Sequence, residues 1–453
     1  MNVLVVCVDT LRWDHCGYNG QIPMRARRKR PVMTPNIDRL ARRSTIFDRA
    51  VIGSFPTIPM RTDCFTGNVN FPRYDWKRLG DEEIILPEIL REAGYYTAFV
   101  HDTRNMVSTN FGRGFHGDVF TNCPPPDHPK PEEMAFPVPP ENLRQGGKER
   151  QEQMSRMAHF KQESDWFVTQ TMIKAAEWLE HNARRDKWFL WVDTFEVHEV
   201  WHSPPYYVDL FDPGYEGLDY DAPNYGYTDI YTKNELRHLW AHYAAEVTMT
   251  DRWLGYLLDQ MDAMDLWNNT LVIFISDHGM YIGEHNRAGK HTVRGEADPW
   301  PLYEEITHIP LLVWAPKKGM KKRIQSLAQP ADAAPTILDA TEVAGPKMHG
   351  RSWLPLMTGR RTRNWDVVYS SKHSQPPEER SYNIGRLTAT TNRWTLIARE
   401  RGRPAELYDI KSDPRQTRNL ARKRPDIVEA LQAGALVFLR EQNATERYIE
   451  RYR

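Results

Sequence analysis

The sequence predicts an α/β fold: a large mixed, mostly parallel sheet sandwiched by helices, with a smaller C-terminal α+β subdomain. Three observations lead there. Continuous apolar runs of strand length recur, they end in polar residues, and segments of helical periodicity separate them. An apolar run without alternation marks a strand buried on both faces. In parallel sheets the functional residues gather at the carboxyl ends of such strands.

NVLVVCVD, from Asn2 to Asp9, is the first run and closes on a carboxylate. LPEILREAGYYTAFV reads as helix, glycine, strand. WFLWVDTF (Trp188 to Phe195), LVIFISDHG (Leu271 to Gly279) and IPLLVWAP complete the set. In LRHLWAHYAAEVTMTDRWLGYLLDQM, Leu236, Leu239, Tyr243, Val247, Leu254, Leu257, Leu258 and Met261 recur at helical spacing and form one apolar face. Residues 120–165 are rich in proline and charge and read as an insert or lid on a catalytic domain spanning 1–345. In 346–453, DVVYSSKH, RLTATTNRWTLIARE and AELYDI read as short antiparallel strands, followed by a helix from Pro425 to Glu441. The final ATERYIERYR reads as a solvated helix end, with a homo-oligomer arm as the other reading.

Lys+Arg and Asp+Glu balance at 60 each, so no global field recruits nucleic acid or an anionic membrane, and an anion site must be local. No apolar run is long enough to cross a bilayer. The opening MNVLVVCVDTLRW lacks a small-residue cleavage site, and Cys7, Cys16, Cys64 and Cys123 show neither metal nor disulfide spacing. A cytoplasmic, reducing location is the expectation.

Asp9 and the pair Asp277-His278 place two carboxylates and an imidazole at strand ends, a donor set that suits one divalent cation: Zn, Mn, Ca or Mg. In GSFPTIPMRTDCFTG, Thr57 precedes a helical segment with Pro59 in its first turn and Arg61 one turn on. Two readings are open for Thr57, a helix cap or a nucleophile made reactive by metal coordination. In the second, the helix N-terminus and the guanidinium face a tetrahedral anion.

These segments resemble the sulfatase family of the alkaline phosphatase superfamily. VCVDTLRWDHCGYNG is similar to its first strand and metal-binding Asp, and MTPNIDRLARRSTIFDRA to its TPNID segment. PTIPMRTDCFTG lies where the family carries Cys/Ser-x-Pro-x-Arg, and FISDHGMYIGEH where it carries its second metal segment. Lys290 with YEE, ADAAPTILDATEV, GRSWLPLMTG and ELYDIKSDPRQTRNLA follow in the family's order. The resemblance implies that Asp9, Asp277, His278 and Thr57 ligate one metal, that Arg61 steadies the nucleophile, that Lys290 contacts anionic oxygens, and that His198 serves the leaving group. As a general acid His198 needs a proton near neutrality. Asp193, His198 and His291 are of the residue types for a second metal.

Three departures qualify the resemblance. Thr10 stands where the family often has a second Asp. His101, Asp102 and Thr103, followed by Arg104, replace a Gly-Lys-Trp-His segment, so one anion contact is lost or passes to His101 or Arg104. Thr57 replaces the cysteine or serine that is oxidised to formylglycine, so no formylglycine is expected. A threonine alkoxide points to phosphate-type esters: phosphodiester, phosphomonoester or phosphonate ester. The alternatives are a sulfate ester hydrolase acting on a sugar or aryl sulfate, a phosphoryl transferase, and a non-catalytic anion-binding protein. The aromatic loop Trp201 to Tyr227 suits a sugar or aryl group on a small anionic substrate.

Overall fold

The computed structural model describes residues 1–24, 26, 31–73, 76–291, 300–316, 320–372 and 386–453. Its main sheet has eight strands: β1 (Asn2–Val8), β2 (Thr45–Phe47), β3 (Tyr96–His101), β4 (Gly117–Phe120), β5 (Trp188–Thr194), β6 (Thr270–Ser276), β7 (Leu311–Trp314) and β8 (Arg323–Ile324). They lie in the order β8-β2-β7-β6-β1-β5-β3-β4. The five from β6 to β4 are parallel, and β7 runs antiparallel to both β6 and β2. Every residue of β1, β5 and β6 is buried, as their unbroken apolar runs require.

The register of these central strands fixes the chemistry. Val8 pairs with Ser276 and with Thr194, and Cys7 with Asp193. The residues just beyond β1 and β6, Asp9 and Asp277, therefore leave the sheet side by side, with Asp193 on the next strand.

Helix α1 (Thr57–Thr66) is buried along its whole length. Helices α2 (Phe167–Asn182) and α3 (Lys233–Ala263) pack against each other. The predicted apolar face of α3 is buried from Leu236 to Met261, and a Thr232/Glu235 capping box starts the helix.

The second sheet is smaller and mixed. Glu406–Asp409, Trp394–Ile397, Thr388–Thr390 and Val368–Lys372 pair antiparallel in that order. Ser54–Phe55, immediately ahead of α1, joins its edge in parallel. This sheet is thus completed by the strand that delivers Thr57, which the pattern of the last hundred residues did not anticipate. The final histidine of the predicted strand DVVYSSKH lies outside the described residues. Helix α4 (Pro425–Glu441) packs on this sheet. The terminal segment is not a solvated end. Tyr448, Ile449 and Tyr452 are buried among Phe71, Leu387 and Phe438, because the two tyrosines and the isoleucine share one face. Among the described residues no helix is long and apolar enough to cross a membrane.

Two buried carboxyls give the fold a pH dependence. Burial pushes both Glu196 and Glu246 up to about 8, and the charge of Glu246 adds to the rise at Glu196. A carboxyl raised in the folded state contributes stability that is complete below its ordinary value of 4.5 and is lost as pH climbs through 8. The melting temperature is expected to fall between pH 5.5 and 8.5, and Glu246→Gln is expected to flatten that decline. An unchanged slope in the variant would assign the decline elsewhere.

Candidate active site

Asp9 and Asp277 come from β1 and β6, and His278 is the next residue after Asp277. One ligand atom from each lies within 4.8 Å of the others. All three side chains are fully buried. Thr10 organises them. Its φ of 62° puts a β-branched residue in the left-handed region, an uncommon conformation that turns its N–H onto Asp277 Oδ1 at 2.8 Å. Its hydroxyl donates to Asp9 Oδ1 at 2.6 Å. The His278 N–H also donates to Asp277 Oδ1, at 2.7 Å, while His278 Nδ1 bonds the Gly279 carbonyl at 2.9 Å. That leaves Asp9 Oδ2 and His278 Nε2 as buried atoms without a hydrogen-bond partner. Gly279 is required by space: a Cβ there would meet the Glu305 carbonyl oxygen at 2.0 Å.

Arg61 ties this cluster to β5. Its Nε and Nη2 donate to the two oxygens of Asp193 at 2.9 and 2.8 Å. Its Nη1 donates to Asp277 Oδ2 at 2.6 Å and to the Thr57 carbonyl at 3.2 Å, and Nη2 is 3.2 Å from Asp9 Oδ2. Thr103 and Trp191 also donate to Asp193, each at 3.1 Å. Asp193 is therefore the counter-ion of Arg61. Asp193, His198 and His291, expected as a second metal set, do not converge as a ligand cluster among the described residues.

Three buried carboxylates face one guanidinium, with Lys290 within electrostatic range of Asp9, so the site is short of positive charge. Burial raises the Asp9 carboxyl above its ordinary range, and the neighbouring Asp277 adds to the rise. Burial holds His278 well below the usual imidazole value, so the ring is neutral and able to ligate. Asp9 Oδ2, held only by the ion pair to Arg61, His278 Nε2, which makes no hydrogen bond, the shortage of positive charge and the oxygen-rich donors all fit a divalent cation.

Thr57 is the first residue of α1, after Pro56 at the cap position, and no side-chain capping bond forms there. It is 3% exposed and lines a cavity of about 590 Å³ together with His198, Lys290, His291, Tyr225 and Arg144. Cys64, one to two turns into α1, instead has its Sγ 3.5 Å from Met60 Sδ.

Glu199, which belongs to none of the sequence motifs, binds the cationic wall of this cavity together. Its carboxylate is 3.9 Å from Lys290 Nζ, 3.3 Å from Arg144 Nη1 and 3.3 Å from His198 Nδ1, and it accepts the Tyr225 hydroxyl. Burial alone raises its carboxyl, but His198, Lys290 and Arg144 outweigh that and bring it down to about 2. The only sequence signal was its place directly after His198. His198 Nδ1 also bonds the Glu199 carbonyl at 2.6 Å, and burial lowers the ring's pKa despite Glu199. The expectation of a protonated general acid thus meets an imidazole biased toward neutrality. His101 points elsewhere. Its Nε2 pairs with Asp118 at 3.0 Å and its ring stacks on Phe99. Arg104 does line the cavity, as do Leu143 and Arg150 of the proline-rich insert.

The sequence profile of the Sulfatase family matches residues 1–343, and that of the N-sulphoglucosamine sulphohydrolase C-terminal region matches 295–436. Arylsulfatase K of Canis lupus familiaris is 31% identical over 45% of this chain and 37% of its own length. Arylsulfatase K of Gallus gallus is 23% identical over 95% of this chain and 81% of its own. Against several such relatives the aligned part spans well under two thirds of their length. Solved structures share the fold, among them the following two. The phosphonate monoester hydrolase of Agrobacterium radiobacter superposes with a TM-score of 0.73 at 20% identity, over 97% of this chain and 95% of that one. BT4656, solved with its substrate D-glucosamine-2-N,6-O-disulfate, gives 0.70 at 17% identity, over 98% and 99%. The profile match covers the whole main sheet and both strand ends that carry Asp9 and Asp277, and on that ground the chain belongs to the Sulfatase family.

Proposed function

We propose that this chain hydrolyses sulfate esters of a sugar or aryl alcohol, with Thr57 as the attacking hydroxyl and one divalent cation held by Asp9, Asp277 and His278. The observation that carries this reading is the meeting of Thr57, His198 and Lys290 on one cavity wall, beside a buried ligand set short of positive charge. The choice of sulfate is supported by the relatives, which are arylsulfatases, and by a fold neighbour that takes a sulfated glucosamine.

The cation, when bound, supplies positive charge to the ester oxygens and lowers the pKa of the threonine hydroxyl. The remaining work falls to the chain. Lys290, 5% exposed, holds an anionic oxygen from the cavity side. Arg61 has its donors committed to carboxylates and acts as a positioning residue, fixing Asp193 and Asp277. His198, neutral with Nδ1 on a carbonyl, offers Nε2 as a proton acceptor. It takes the Thr57 proton as the Thr57 O–S bond forms, then gives it to the leaving oxygen as the S–O ester bond breaks. Water then attacks the threonine sulfate, His198 takes the water proton, and Thr57 recovers it as sulfate leaves. An anionic ester beside His198 raises the ring's proton affinity, which helps it hold the proton in transit.

Phosphate-type esters are the second reading, and Thr57 itself favours it. Formylglycine hydrate has a second hydroxyl that expels sulfate; threonine has none, so its adduct must be released by water, which is ordinary chemistry at phosphorus. Among the fold neighbours, the Agrobacterium radiobacter protein is a phosphonate monoester hydrolase.

Comparing kcat/KM for p-nitrophenyl sulfate, p-nitrophenyl phosphate and bis-p-nitrophenyl phosphate separates the two. The sulfate ester is expected to lead by at least about tenfold, a difference of about 1.4 kcal/mol in barrier. A lead for either phosphate overturns the first reading in favour of the second. Chelation is expected to abolish turnover and lower the melting temperature, with a loss of about 2.7 kcal/mol if the cation is held at a hundred times its Kd. Full activity of the dialysed, chelator-treated protein would remove the cation from the proposal.

A further inference from the structure

We infer that Asp219, His238 and His242 form a second divalent-cation site, of the two-histidine, one-carboxylate kind that suits zinc, separate from the hydrolytic centre. His238 and His242 stand four residues apart on α3 and so share one face of that helix. Asp219 reaches them from the loop ahead of the helix. Its Oδ1 is 3.2 Å from His238 Nε2 and 2.6 Å from His242 Nε2, and the three donor atoms fall within 4.8 Å of one another.

A neutral His238 cannot satisfy both of its carboxylate contacts. His238 Nδ1 faces a second carboxylate, Asp212, at 3.3 Å, and Asp212 is held in turn by Arg237 Nε at 3.1 Å. If a neutral His238 donates from Nδ1 to Asp212, its Nε2 carries a lone pair aimed at an oxygen that also bears lone pairs. Either the ring is an imidazolium between two carboxylates, or Nε2 ligates a cation. The second arrangement is the carboxylate–histidine–metal relay, in which the outer carboxylate fixes tautomer and ring orientation. Tyr215 supports the same orientation by stacking on His238, with ring centroids 3.8 Å apart. Both imidazoles are about nine-tenths buried, while the Asp219 side chain is 56% exposed. Three protein ligands with one open side leave a position for water. His202 lies within electrostatic range of both His242 and Asp219.

The site bears on the Thr57 cavity through the residues just C-terminal to Asp219. Asp221 is bound by Arg150 at 2.8 and 2.9 Å, and Ala222, Pro223 and Tyr225 wall the cavity that holds Thr57. A cation joining Asp219 to α3 clamps that wall onto the rigid helix.

The test is zinc stoichiometry of the full-length, chelator-stripped protein, measured by equilibrium dialysis and elemental analysis. His242→Ala and Asp219→Asn are each expected to lower the count by one zinc per chain, whatever the count at the hydrolytic site. Asp277→Asn reports that other site independently, so the two readings fail separately. Asp212→Asn keeps all three ligands and is expected to raise the zinc Kd about 10- to 100-fold without changing the saturated count. It also guards against loss of fold as the cause, provided its melting curve stays cooperative. An unchanged stoichiometry in both His242→Ala and Asp219→Asn overturns the site and leaves an imidazolium–carboxylate cluster.

Discussion

Thr57→Ala is expected to cut kcat/KM at least about 10⁴-fold while leaving the fold intact, the size of loss that accompanies removal of a nucleophile. The two roles that the sequence leaves open for this residue predict opposite patterns. A lost cap costs about 1 kcal/mol of stability and touches turnover only indirectly. A lost nucleophile costs turnover and almost no stability. The structure favours the second pattern, since Pro56 holds the cap position, no side-chain capping bond forms, and Thr57 lines the cavity. Alanine is also the best helix former, so the backbone of α1 has no reason to change. Thr57→Ser keeps the hydroxyl and is expected to retain most of the activity. Thr57→Cys restores the residue type that the family oxidises. Expressed with the modifying machinery, it is expected to gain sulfate ester turnover together with the mass change of cysteine to formylglycine. Wild-type turnover in Thr57→Ala would end the nucleophile proposal.

What could be read from the sequence, and what could not, divides along the range of the interactions. The apolar runs ending in Asp9, Asp193 and Asp277 were legible because a strand buried on both faces has no alternation to hide a polar terminus. The pairing of Asp9 with Asp277 depends on parallel register between strands more than 260 residues apart, which the order of segments in the family makes readable and spacing alone does not. Thr10 looked like a lost ligand. Its contribution lies in a positive φ and a backbone N–H, neither of which a side-chain pattern reports. Glu199 and Arg144 escaped because their significance lies in each other and in Lys290 and Tyr225, brought together from distant loops. The joining of Ser54–Phe55 to the second sheet was hidden for the same reason: a two-residue strand has no periodicity to detect. His101 and Asp193 show the converse error. His101 was of a type to contact an anion and Asp193 to ligate a metal, yet Asp118 and Arg61 already engage them.

Arg61→Ala is expected to cost about 3–5 kcal/mol of folding stability, because it strips the counter-ion from three carboxylates that stay buried. Such an ion pair need not stabilise the protein relative to an apolar pair; the cost arises from removing one partner alone. The same carboxylates set the sign of the pH dependence. Burial already raises the Asp9 carboxyl, and without the guanidinium that opposes the rise it binds its proton still more tightly than in the unfolded chain, so the folded variant gains relative stability as pH falls. The deficit relative to wild type is therefore expected to shrink from pH 7.5 to pH 5. A divalent cation acts in the same direction by supplying charge, so chelation is expected to widen the deficit at neutral pH. Arg61→Lys restores one positive charge but lacks the fork that grips Asp193 with Nε and Nη2 while Nη1 reaches Asp277. It is expected to recover part of the stability and little of the activity, since the ligand Asp277 loses its fixed orientation. Urea denaturation of both variants at the two pH values, with and without chelator, reads all of these terms. A loss below about 1 kcal/mol for Arg61→Ala at neutral pH without metal would mean that the buried carboxylates do not depend on the guanidinium, and that the charge of Asp9 and Asp277 does not demand the cation proposed to sit with them.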